Sequence, residues 1–140
     1  DTLIDYGDHA ADEVSAMILE LPHRELGGKC TPWTDILQMG ELLKANNIAF
    51  HCDGARIFEA SAYYFDNDDD TNQISNLTQL VHPFDSLYIS FYKGLGGLSG
   101  AALLGTKEFC DKARIWQRRF GGNLYTLLPY AVAAMQGYKK

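Results

Sequence analysis

The chain has 140 residues, 46% of them hydrophobic, with 12 basic against 18 acidic side chains and a formal net charge of −6. That apolar content is enough for one buried core, whether a whole domain or a piece of a larger one, and excludes a disordered tail. The acidic balance argues against a nucleic-acid surface, which needs clustered Lys and Arg to displace counterions, and serves solubility instead.

Residues 1–14 are acidic, with a helical hint only from Ala10 to Val14. The opening Asp1-Thr2-Leu3-Ile4-Asp5 lacks the basic flank of a signal peptide and an initiating Met, as expected of a chain cut from a longer protein. Ser15 to Leu21 is an apolar run stopped by Pro22, which suits a buried strand. A loop follows from His23 to Cys30. Thr31-Pro32 reads as an N-cap with Pro at the first helical position. Trp33, Ile36, Leu37, Gly40 and Leu43 recur at helical spacing, predicting an amphipathic helix over 32–45 that Asn46-Asn47 ends in a left-handed conformation.

Ile48 to Cys52 is the second predicted strand, and Ala55 to Ala62 begin a helix behind it. Asp66 to Asp70 holds four aspartates in five positions, a solvated loop. Calcium is the sharper reading, but the spacing does not match the helix–loop–helix calcium loop and no glutamate closes it. Ile74, Leu77, Leu80 and Val81 mark a short helix ended before Pro83. Ser86 to Phe91 alternates and is rich in strand formers, and Ala101 to Leu104 gives one more strand beyond a glycine cluster. Lys107 to Phe120 is a helix with Phe109, Ala113 and Trp116 on one face and a basic exit at Arg118-Arg119. Gly121-Gly122-Asn123 breaks it, and Leu127 to Tyr138 is helical again.

Strands alternating with helices predict an α/β fold, three layers deep (α/β/α), with a mostly parallel sheet and crossover connections. Ligands of such sheets sit beyond the carboxyl ends of the strands, where Asp53 and Lys93 both fall. No apolar run approaches the ~20 residues that span a bilayer, so no membrane partner is expected. Cys30, Cys52 and Cys110 are odd in number, widely spaced and free of any Cys-x-x-Cys pattern. Neither a disulfide framework nor a metal site is indicated, and a reducing, cytoplasmic setting is expected.

Two positions carry candidate chemistry. A lysine amine becomes a nucleophile when desolvation or a neighbouring charge lowers its pKa, and Lys93 stands between Tyr92 and the glycines 94, 96 and 97. Those glycines suit either the approach of a bulky ligand or a plain tight turn. Asp53, closing a buried strand, needs a cation, because an unpaired buried carboxylate is costly. Arg56 supplies one, so an internal ion pair at the strand–helix junction stands level with a functional role. No stretch reproduces the phosphate-binding loop of nucleotide triphosphatases.

Leu19-Glu20-Leu21-Pro22-His23-Arg24 with Gly27-Gly28, then His51-Cys52-Asp53-Gly54-Ala55-Arg56, then Lys93-Gly94-Leu95-Gly96, then Gly121-Gly122 after a basic helix, form an ordered set. In type, order and approximate spacing it resembles the threonine aldolase and β-eliminating lyase family of pyridoxal-phosphate enzymes, with the aspartate-aminotransferase-like fold (fold type I), over residues 16–135. The resemblance implies that Lys93 forms the Schiff base with pyridoxal 5'-phosphate and that Asp53 keeps its pyridine nitrogen protonated. It implies that Arg56 reaches the cofactor's phenolic oxygen or the substrate carboxylate. Ser90 touches the phosphate or is an ordinary strand serine. His51 shares the face of Asp53 if the strand is regular, as a cofactor contact or a satisfied core histidine. His23 is a base for the substrate's β-hydroxyl or makes a loop hydrogen bond.

The implied reaction cleaves the Cα–Cβ bond of a β-hydroxy-α-amino acid to glycine and an aldehyde, with β-elimination and a non-catalytic oligomerisation module as alternatives. A small amino acid is the implied substrate and a homodimer or homotetramer the implied assembly. Two stretches depart from the family: Gly121-Gly122-Asn123-Leu124 lacks its Arg-Gln pair, and Gly97-Leu98-Ser99-Gly100 replaces Ala-Pro-Val-Gly. The family's N-terminal phosphate loop and C-terminal small domain have no counterpart, so residues 1–140 read as one partial domain, the middle of a longer subunit.

Overall fold

The computed structural model describes residues 14–65 and 76–139. Residues 1–13, the aspartate run at 66–70 and Ile74 lie outside them, so the readings placed there have no structural counterpart. Among the described residues, β1 (Ala16–Glu20), β2 (Ala49–Gly54), β3 (Ser86–Ser90) and β4 (Ala101–Gly105) form one sheet in that order. β1, β2 and β3 are parallel, and β4 is antiparallel to β3. The reversal has a covalent cause. Residues 91–100 join β3 to β4 without a helix, and a parallel crossover needs a dozen or more residues, commonly helical ones.

The helices are α1 (Trp33–Ala45), α2 (Ile57–Phe65), α3 (Leu77–Val81), α4 (Lys107–Arg119) and α5 (Leu128–Tyr138). In α1, Ile36 and Leu43 are buried, one face at a seven-residue interval. The expected Thr31 cap is not made: Pro32 takes the cap position with no side-chain bond, and the Thr31 carbonyl instead accepts from the Tyr64 hydroxyl. At the other end Asn47 adopts φ 56°, the expected left-handed exit. In α2, Ile57, Ala60 and Tyr64 are buried. Asn76 caps α3 by accepting the Gln79 N–H at 3.0 Å, and Thr106 caps α4 by accepting the Phe109 N–H at 3.2 Å.

One apolar core unites Leu21, Ile36, Leu43, Phe50, Cys52, Ile57, Tyr64, Leu80 and Leu87. Each such side chain, when fully buried, contributes roughly 1.5–3 kcal/mol. By strand alternation Met17, Leu19, Phe50, Cys52 and Leu87 share one face of the sheet, the face under α1, α2 and α3. Of the three expected layers, these helices and the sheet supply two. Successive right-handed crossovers that step the same way across a sheet put their helices on the same side. The opposite face is open enough to leave Ile18 67% exposed. Cys52 is a core residue: burial, then the charge of Asp53, pushes its thiol up to about 12. α4 buries none of its residues fully, and Trp116 on its expected apolar face is half exposed.

Candidate active site

The parallel register sets Glu20 of β1 beside Asp53 of β2, and Asp53 beside Tyr88 of β3. These three form a row near the carboxyl edge, on the face opposite the core. One row back lie Ile18, His51 and Ser86. The chain leaves the three strands at the same edge, through Leu21-Pro22-His23, through Ala55-Arg56, and through Phe91-Tyr92-Lys93. Neighbouring strands lie about 4.8 Å apart, so the exits of β1 and β3 are separated by roughly 10 Å.

Asp53 and Arg56 do not pair. The Asp53 carboxylate accepts the backbone N–H of Ala55 at 3.1 Å, turning the chain into α2, and Arg56 lies 3.8 Å from Glu20 instead. The other oxygen of Glu20 is 3.8 Å from Nδ1 of His23. Nδ1 is buried and has no hydrogen-bond partner. Arg56 and His23 therefore converge on Glu20, and Asp53 keeps a half-buried carboxylate that, among the described residues, is held by the Ala55 N–H. In the sequence Glu20 appears only as part of the Leu19-to-Arg24 motif, an acidic residue one position before the apolar Leu21.

His51 is half buried and shares the face of Asp53, with Nδ1 2.7 Å from the Ser86 hydroxyl. Burial lowers its pKa, and the Asp53 charge opposes that shift in part. Ser90 is 1% exposed, and its hydroxyl lies 2.9 Å from that of Tyr88. Ser86 becomes the partner of His51 only through the strand register, whereas Tyr88 and Ser90 are neighbours two residues apart on one face of β3.

Lys93 occupies the turn after β3, half buried, with its ammonium 5.6 Å from the Tyr92 ring centre. It makes no ion pair among the described residues. The turn is closed by the Gly96 N–H on the Lys93 carbonyl at 2.7 Å and the Gly97 N–H on the Phe91 carbonyl at 2.6 Å. Packing and backbone angle account for the glycines: a Cβ at 94 would meet Glu59 at 2.7 Å, and Gly96 has φ +62°. The tight-turn alternative thus explains the cluster. Gly137 extends the same logic, because any Cβ there would overlap the Leu95 carbonyl, so α5 lies directly on the turn that carries Lys93.

Residues 2–138 match the family described as beta-eliminating lyase. The chain belongs to that family. This β-eliminating lyase family member is 31% identical over 129 residues to a protein of Arabidopsis thaliana named "Probable low-specificity L-threonine aldolase 2", covering 92% of the chain and 34% of the relative. To the low specificity L-threonine aldolase of Escherichia coli O157:H7 it is 32% identical over 112 residues, 80% of the chain and 31% of the relative. Among solved structures it is similar to an Exiguobacterium protein whose name pairs aromatic amino acid beta-eliminating lyase with threonine aldolase, at a TM-score of 0.79 and 39% identity. That alignment covers 96% of this chain and 34% of the other. The family member described here therefore spans about a third of the length of the relatives it matches. No helix among its described residues is long and apolar enough to cross a membrane.

Proposed function

We propose that these residues are the central part of a pyridoxal-5'-phosphate-dependent lyase that cleaves the Cα–Cβ bond of a β-hydroxy-α-amino acid to glycine and an aldehyde. The observation that carries the reading is a donor set split across neighbouring parallel strands. Among the described residues, Asp53 offers a carboxylate with one backbone donor and no paired cation, and Lys93 offers an amine at the end of the next strand. An acid for a ring nitrogen and an amine for an aldehyde are the two groups such a cofactor requires, so the residues fit it.

When bound, the cofactor supplies an electron sink for the pair left at Cα. Lys93 would hold its aldehyde carbon, and Asp53 would keep the proton on its ring nitrogen. Arg56, its guanidinium drawn toward Glu20 through Nη1, would present the rest of its planar fork to a carboxylate or a phenolic oxygen. Ser90, hydrogen-bonded to Tyr88, would offer a hydroxyl to the phosphate. His51, neutral by virtue of its burial, would keep a second positive charge away from the ring. His23 would take the β-hydroxyl proton. The named relatives support the reaction class, the two threonine aldolases among them. The substrate is a small amino acid, and the assembly a homodimer or homotetramer.

Product analysis on the full-length protein, loaded with pyridoxal phosphate and given threonine, tests the reading. Glycine and acetaldehyde in equal amounts are expected. A 2-keto acid with ammonia would mean β-elimination and would overturn the proposal.

A further inference from the structure

We infer that Glu20 is a positioning residue: it fixes the tautomer of His23 so that Nε2 is the proton acceptor for the substrate hydroxyl, an inference that rests on the lyase reading above. The two oxygens of Glu20 are divided between two partners, Oε1 at 3.8 Å from Nη1 of Arg56 and Oε2 at 3.8 Å from Nδ1 of His23. Both contacts lie in ion-pair range and outside hydrogen-bond range, as is common before a substrate closes such a site. The carboxylate itself is fixed by the sheet, because Glu20 is in register with Asp53 and the next residue, Leu21, donates its N–H to the Asp53 carbonyl at 2.9 Å.

The choice of tautomer follows from what His23 faces. Nδ1 is buried with no hydrogen-bond partner, and Glu20 is its ion-pair partner. Two lone pairs facing each other repel, so Nδ1 carries the proton. The His23 side chain is nevertheless 40% exposed, so it is the other edge of the ring, with Nε2, that meets the open space. A lone pair on Nε2 can then accept the hydroxyl proton: the substrate O–H bond breaks and Nε2–H forms, the freed electron pair becomes the C=O of the aldehyde as the Cα–Cβ bond breaks, and the imidazolium that results faces a carboxylate. The arrangement is that of a base oriented by an acid on its far nitrogen. Arg56 completes it, since the guanidinium lies against the second oxygen and holds the carboxylate in place.

The test uses the full-length, cofactor-loaded protein and the variants Glu20→Gln and Glu20→Asp. In Glu20→Gln the amide oxygen goes to the Arg56 cation and the NH2 turns to Nδ1, which must then accept. Nε2 becomes N–H and loses its function. Cleavage of a β-hydroxy amino acid should fall about 10²-fold or more in kcat. Exchange of the glycine α-proton in D2O has no hydroxyl to deprotonate, feels only the loosening of Arg56, and should fall at least about ten-fold less than cleavage does. Glu20→Asp, which keeps the carboxylate, should recover part of the lost rate. Cleavage at the wild-type rate in Glu20→Gln would overturn the inference, and so would equal loss of cleavage and exchange. A wild-type protein that releases no glycine would overturn the lyase reading itself.

Discussion

Arg56 lies 3.8 Å from Glu20 on the neighbouring strand, although Asp53 is only three residues away in sequence. An exposed or half-exposed pair of this kind contributes about 1 kcal/mol or less, so its consequence is one of placement. The guanidinium is drawn toward β1, and the Asp53 carboxylate, relieved of it, accepts the Ala55 N–H.

That relief predicts a large effect at Asp53. A carboxylate ~4 Å from a ring cation gains about 4 kcal/mol at an effective dielectric of ~20, equivalent to roughly 10³-fold in rate. Asp53→Asn in the full-length protein should therefore lose about 10³-fold in kcat at saturating cofactor. A loss under about ten-fold would remove Asp53 from the ring nitrogen.

Gly54 shows why glycine follows that aspartate. A Cβ there would meet Leu87 Cδ1 at 2.6 Å and the Tyr88 carbonyl at 2.9 Å, on the core side of β2. Gly54→Ala forces β2 and β3 apart at the edge that carries Asp53, an overpacking cost of about 1–3 kcal/mol. Thermal unfolding of the full-length variant should show Tm lower by several degrees, with cleavage impaired more than stability alone accounts for. An unchanged Tm would mean that the close approach is absent.

Much of this arrangement was legible beforehand. The apolar periods of β1, α1, β2, β3 and α5 are strong, and Asn47 and Pro83 end their helices as turn chemistry requires. The ten residues between β3 and β4 are too few for a parallel crossover, a length the sequence shows, whereas the crowding of Gly94 by Glu59 and of Gly97 by Phe91 exists only in the folded chain. Other features have no local signal. The convergence of His23 and Arg56 on Glu20, and the pairing of His51 with Ser86, exist only because β1, β2 and β3 adopt one particular register. Thr31 makes no cap because the helix begins one residue later, with Pro32 at the cap position, while the Thr31 carbonyl accepts from the buried Tyr64 hydroxyl.

His51 gives a pH dependence with a definite sign. Burial lowers its pKa below the ordinary 6.5, the Asp53 charge opposing in part. The unfolded chain takes up the proton first, so the contribution to stability is intact above 6.5 and is lost as pH falls through the lower native value. Tm of the full-length protein should therefore decline on acidification below 6.5, and more shallowly in His51→Asn. Identical slopes for the two proteins would contradict this assignment.

Reductive trapping addresses the central claim, that Lys93 and Asp53 hold the two ends of one cofactor. The full-length protein is loaded with pyridoxal phosphate, reduced with borohydride, digested and mapped by mass. The account predicts a single stable pyridoxyl adduct on Lys93, and in Lys93→Ala the loss of both the adduct and the cleavage of threonine. An adduct on another lysine, or a Lys93→Ala protein that keeps adduct and rate, would contradict it.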